Sequence, residues 1–159
     1  MEELRWWISH APEMLIHVVT AAMCGTAMGY ERARNGGAAG MKTCMLICLG
    51  ATAYTHVGVA LFEQTHEGDP TRVASQIVSG IGFLGAGAIL RGNGGVTGLT
   101  TAAIIWFLGA VGIIIGSGFP ASGFGLTLGA LALLTAIRLL EARLVPEHTA
   151  HHGGDPPEP

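Results

Sequence analysis

The chain has 159 residues, 50% of them hydrophobic, with 8 basic and 11 acidic side chains that make up 12% of the total. Soluble domains carry about 25% charged residues, so this composition, with a mean hydropathy of +0.50, describes a lipid-exposed chain. Spans of about 20 residues leave no length for a soluble enzyme domain, and a net charge of −3 with singly scattered basic residues gives no footprint for nucleic acid.

The N-terminal stretch MEELRWWISH is acidic and aromatic, without the basic start and small-residue cleavage pattern of a secretory signal, so the first span is expected to be retained. Residues 1–11 read as an interfacial segment with Trp6 and Trp7 as anchors. Residues 12–140 are expected to hold five transmembrane helices, at about Pro12–Tyr30, Lys42–Phe62, Val73–Leu90, Leu99–Ile115 and Ala121–Leu140. Residues 141–159 read as a short polar, proline-bearing, disordered cytoplasmic tail. The fold class is therefore an all-alpha integral membrane protein with a glycine-rich third helix.

Orientation follows from the basic residues, which favour the cytoplasmic side of a membrane. One set of ends and loops holds Arg5 and Arg72; the other holds Arg32, Arg34, Lys42, Arg91, Arg138 and Arg143. This places the N-terminus outside and the C-terminus inside, as an odd number of spans requires. The rival count is four, with span three as a re-entrant segment.

Small residues allow membrane helices to approach closely. Gly25 and Gly29 in span one, Gly112 and Gly116 in span four, and Gly125 and Gly129 in span five each stand four apart, and so on one helical face. Span three carries Gly80, Gly82, Gly85 and Gly87 within eight residues. Such a helix is either crowded on several sides or partly unwound around a polar cavity.

Glu31 and Arg32 close span one, and Lys42 opens span two after a short loop, so Glu31 can pair with Arg32, Lys42 or Arg91. These charges serve either as interfacial anchors or as an ionic cluster at an inner vestibule. Asp69 precedes Pro70 and is placed to cap span three. Arg72 and Gln76 share one face of that span, either for capping and anchoring or within a polar network. Thr97, Thr100 and Thr101 are placed to cap span four and bond a neighbouring helix.

Cys24, Cys44 and Cys48 all lie in apolar segments, an odd set that argues for packing rather than disulfides. His17 and His56 read as buried and hydrogen-bonded beside an acidic loop; imidazole suits transition metals, but no metal site, cofactor or catalytic residue is assigned. No nucleophile with its base and no phosphate-cradling loop is present in the sequence.

Two long segments carry a resemblance. Residues 69–87, Asp-Pro-Thr-Arg-Val-Ala-Ser-Gln-Ile-Val-Ser-Gly-Ile-Gly-Phe-Leu-Gly-Ala-Gly, and residues 96–106, Val-Thr-Gly-Leu-Thr-Thr-Ala-Ala-Ile-Ile-Trp, are similar to signatures of the MgtC/SapB family, also called MgtC/SapB/SrpB/YhiD. Glu31-Arg32 and Gly40-Met41-Lys42-Thr43 resemble its Glu-Arg and Gly-x-Arg-Thr steps. Lys42 replaces an arginine and so loses the planar fork, and Phe107 stands where a cysteine often follows the tryptophan. The resemblance is to the family's N-terminal membrane domain, because many members carry a further cytoplasmic domain.

The resemblance implies a multi-pass bacterial inner-membrane protein associated with magnesium homeostasis, low-magnesium growth and, in pathogens, survival in host cells. It implies a regulator of membrane proteins such as ATP synthase or a magnesium-transporting ATPase. Glu31, Arg32, Lys42, Asp69, Arg72, Gln76, Arg91 and Thr100 are then expected to form a functional network. The expected partners are the bilayer, a membrane protein and a second copy of the chain, with a dimer favoured. The alternatives are an oligomeric transporter or channel for Mg²⁺ or another cation, with span three lining the path, and a lipid-organising structural protein.

Overall fold

The computed structural model describes residues 2–92 and 95–144. Five helices follow one another: α1 (Glu2–Arg34), α2 (Met41–Thr65), α3 (Pro70–Gly87), α4 (Leu99–Gly116) and α5 (Pro120–Leu144). Four segments are long and apolar enough to cross a membrane: Ala11–Arg34 within α1, and α2, α4 and α5. Helix α3 is outside that set because Arg72, Ser75, Gln76, Ser79 and its glycines dilute its apolar residues. It is nonetheless one continuous helix, not an unwound segment.

Two ends differ from the expected ones, and one short element is added. Helix α1 is continuous from Glu2 through Pro12, so residues 2–11 are helical rather than a separate lead-in. Helix α5 continues through Glu141–Leu144, four residues into the expected tail; the rest of that tail lies outside the described residues. The fold is all-alpha as expected, apart from one short antiparallel hairpin that the sequence did not show, β1 (Leu90–Gly92) and β2 (Gly95–Thr97), which pairs Leu90 with Thr97, Arg91 with Val96 and Gly92 with Gly95.

The core lies among α1, α2 and α4, where Ala21, Cys24, Met28, Cys44, Cys48, Leu108, Val111 and Ile115 are buried. Glycine sets these distances. A Cβ on Gly25 would stand 2.6 Å from the Cys44 carbonyl oxygen, and one on Gly29 would stand 2.5 Å from the Met41 Cα. On α4, a Cβ at Gly112 would stand 2.6 Å from both the Ala51 Cβ and the Cys48 carbonyl oxygen, and one at Gly116 would stand 2.5 Å from the Thr52 carbonyl oxygen. Such backbone approach is what membrane helices use in place of the hydrophobic effect, which lipid removes as a driving force. All three cysteines are free and buried.

Helix α5 closes on this core through Gly123, where a Cβ would meet the Ile115 side chain at 2.5 Å. Helix α3 packs on α2 and α4. Its first turns place Val73 against Gly58 of α2, and its last turn places Gly85 beside Ala102 of α4, so it runs antiparallel to α2 along the depth of the bundle.

Candidate functional site

At the C-terminal end of α1, the Arg32 guanidinium donates from Nε to Glu31 Oε2 at 2.5 Å and from its terminal nitrogen to Glu31 Oε1 at 2.6 Å. Asn35 Nδ2 adds a bond to Glu31 Oε1 at 2.6 Å and one to the Glu31 carbonyl at 2.8 Å. Arg32 is only 9% exposed, and its carbonyl oxygen accepts from the Gly37 amide at 2.8 Å. This fork is the strong form of carboxylate recognition, because charge assistance and planarity act together.

The cluster is also a junction. A Cβ on Gly37 would stand 3.2 Å from Thr101 Oγ1, so the loop after α1 lies against the first turn of α4. Among the described residues, Arg32–Glu31 is the one ion pair. Lys42 and Arg91, both open to Glu31 by sequence, are exposed and unpaired in this sense. Asn35 was missed by sequence reasoning, although its place four residues after Glu31 on a helix was a usable signal. Thr101 is buried, whereas Thr100, the residue assigned to the network, is exposed.

At the opposite end, Asp69 caps α3. Its Oδ1 accepts from the Thr71 amide at 2.9 Å and the Thr71 hydroxyl at 2.7 Å, and Pro70 takes the first helical position. These bonds hold the Asp69 carboxyl below its ordinary range, with the Thr71 hydroxyl the largest cause. Arg72 and Gln76 are exposed, and Arg72 has no carboxylate within ion-pair distance among the described residues. Asp69, Arg72 and Gln76 therefore stand one bundle depth from Glu31 and Arg32, and the eight residues assigned to one network occupy two separate ends.

Between the two ends lies a groove of about 860 Å³ between α2 and α3, lined by Thr43, Leu46, Tyr54, Gln76, Gly80 and Gly87 among others. Within the single chain, the span-three glycines differ in what they meet. A Cβ on Gly80, Gly82 or Gly87 would meet nothing within 4 Å, and one on Gly85 would make only ordinary contact with Ala102. Gly80, Gly82 and Gly87 leave open space beside them, as Gly125 and Gly129 do, whereas Gly85 is buried against Ala102. The cap of α4 is also not a threonine but Gly98, at φ +88°.

These features define a multi-pass helical membrane protein with an ion pair largely shielded at the α1–α2 junction and a glycine-rich helix that packs through Ile77, Ile81 and Gly85 and leaves Gly80, Gly82 and Gly87 open. The chain belongs to the MgtC family, whose pattern matches residues 18–143. It is 39% identical over 138 residues to the putative magnesium transporter YhiD of Escherichia coli K12, covering 84% of this chain and 64% of that protein. Protein SapB of Bacillus subtilis is 36% identical over 127 residues, 76% of this chain and 54% of SapB. Protein MgtC of Brucella abortus is 39% identical over 122 residues, 76% of this chain and 49% of that protein. The chain thus spans about half to two thirds of the length of these relatives. No solved structure matches it. With four helices long and apolar enough to cross a membrane and with bacterial relatives, it is a multi-pass protein of the bacterial inner membrane.

Proposed function

We propose that the chain is a regulator or accessory subunit in magnesium homeostasis that acts on another membrane protein and works as a homodimer through α3. The observation that carries this reading is the side of α3 that meets nothing in its own chain. Gly80, Gly82 and Gly87 are open, and Ser75, Ser79, Gly82 and Ala86 run along one exposed face at helical spacing. Small residues serve a membrane helix where another backbone approaches it, and a second copy would remove from lipid the hydroxyl-bearing face of α3 formed by Ser75 and Ser79. The magnesium link rests on the family resemblance and on the relative named a putative magnesium transporter.

Helix α3 is the fifth span in this reading. Its 18 residues rise about 27 Å, close to the roughly 30 Å of a bilayer core. With five crossings, the bias of basic residues sets the N-terminus outside and the C-terminus in the cytoplasm. Glu31, Arg32 and Asn35 then stand at the cytoplasmic end, where a partner's cytoplasmic loops would meet them.

The test is oxidative cross-linking in native membranes of a chain carrying Gly82→Cys, together with subunit counting by single-molecule photobleaching. A cross-linked dimer that Ser79→Leu abolishes without loss of folded protein is the expected result. A strictly monomeric chain overturns the dimer. The second reading, an oligomeric cation path, is favoured by the exposed Arg72 and Gln76 beside the groove. Mg²⁺ flux in proteoliposomes that falls in Arg72→Ala and Gln76→Ala would support it, and flux equal to that of empty vesicles would remove it.

A further inference from the structure

Three buried side-chain polar atoms among the described residues have no hydrogen-bond partner: His17 Nδ1, Thr55 Oγ1 and His56 Nε2. The two histidines lie where the middle of α1 meets the later turns of α2, and Thr55 faces α4 at Gly116. Other buried hydroxyls in the bundle are satisfied by carbonyls, as Thr52 Oγ1 donates to Gly112 at 3.1 Å and Thr127 Oγ1 to Gly123 at 2.9 Å. An unsatisfied buried polar group costs about 1–3 kcal/mol, so the two imidazole nitrogens beside one cavity call for a shared explanation. One buried nitrogen of each imidazole, His17 Nδ1 and His56 Nε2, thus lacks the hydrogen bond expected from the sequence.

The geometry of the two rings points to a ligand. His17 is 9% exposed, and its ring centroid lies 5.6 Å from that of His56 at an interplanar angle of 74°. Both rings line a cavity of about 450 Å³ together with Met14, Thr52 and Gln64. Two imidazoles bound to one tetrahedral ion through metal–nitrogen distances of about 2.0–2.1 Å place their centroids roughly 5–6 Å apart. The observed separation is in that range without movement of either helix.

We infer that His17 and His56 form a two-imidazole site for a transition-metal cation of the Zn²⁺ class. Neutral imidazole nitrogen suits such ions, whereas Mg²⁺ demands oxygen donors, so this site is chemically separate from any magnesium role. Among the described residues no group of three His, Cys, Asp or Glu side chains is placed to enclose a metal. The remaining positions therefore fall to water, or to the Glu13 carboxylate one turn before His17 once it swings inward. Structural zinc sites use four protein ligands and catalytic ones three. A site with two binds an exchangeable ion, as sensing or transit requires, and the inference does not depend on the regulatory reading above.

The experiment uses the full chain, free of affinity-tag histidines, in lipid nanodiscs, with H148A, H151A and H152A removing the other clustered histidines. Co²⁺ is titrated by its visible absorption and then competed with Zn²⁺ and with millimolar Mg²⁺. The expected result is one Co²⁺ per chain, displaced by Zn²⁺ but not by Mg²⁺, with affinity falling at least tenfold in His17→Gln and in His56→Gln at unchanged helicity. Binding insensitive to both substitutions, or no binding below millimolar Co²⁺, overturns the site and leaves a hydrated imidazole pair only. Should His17→Gln fail to fold, zinc-edge X-ray absorption of the unsubstituted histidine pair decides, since fewer than two imidazole ligands per zinc equally overturns it.

Discussion

Arg32 grips the carboxylate of the residue immediately before it, with both hydrogen bonds to Glu31 at 2.6 Å or shorter. Neighbouring side chains on a helix normally diverge; these converge because Arg32 is turned into the bundle and Asn35 holds Glu31 from the next turn. Removing one partner leaves the other charge half-buried and unpaired, which costs more than removing both. We expect Glu31→Ala to destabilise the folded chain by about 2–3 kcal/mol and Glu31→Ala with Arg32→Ala by less. Denaturant unfolding in mixed micelles, followed by circular dichroism, checks the order; equal losses in the two variants would show that the orphaned Arg32 charge carries no penalty of its own.

Glycines of the core and of α3 should separate under the same assay. Gly112→Ala sets a methyl group against the Ala51 side chain and the Cys48 carbonyl, and overpacking of that kind costs about 1–3 kcal/mol. Gly82→Ala meets open space and replaces the weaker helix former, so the folded chain should be as stable as before or slightly more so. Unfolding midpoints that fall equally in both variants would count against the packing described.

The contrast between these glycines also shows how far the sequence could be read. Gly25, Gly29, Gly112 and Gly116 sit at four-residue spacings, which fixes a common face, and that face is the one buried. Nothing in the spacing of Gly80, Gly82, Gly85 and Gly87 says whether their face turns inward or outward, because both uses need small side chains. The helices themselves were legible from apolar runs, but the hairpin at residues 90–97 was not, since three-residue strands are too short to show alternation. At the ionic cluster the sequence offered three cations for Glu31, and only the path of the chain selects Arg32. The unpartnered histidine nitrogens depend on how two helices face each other, a relationship no local pattern encodes.

The junction of hairpin and helix depends on one residue. Gly98 lies at φ +88°, and a Cβ there would collide with the Ala88 carbonyl oxygen at the end of α3. Gly98→Ala therefore combines left-handed backbone strain of about 1–2 kcal/mol with a backbone clash that only separation of α3 from α4 relieves. We expect faster amide exchange at Leu99–Ala102 and at Ile89 together. Exchange confined to the hairpin would mean that the clash is absorbed without moving α3.

Asp69 supplies a pH dependence whose sign follows from its hydrogen bonds. The Thr71 hydroxyl and amide favour the ionised carboxylate and lower its pKa in the folded chain. A group depressed on folding contributes stability above its unfolded value, about 3.9, and that contribution disappears as pH falls through the lower folded value. The first turn of α3 should therefore fray in acid, seen as faster exchange of the Thr71 amide relative to that of Ile81 once the intrinsic pH effect is divided out. Asp69→Ala should show the acid behaviour already at neutral pH, whereas Asp69→Asn, an equally good cap, should protect the amide and lose the pH dependence. An Asp69→Asn chain that still frays below pH 4 would assign the titration to another group.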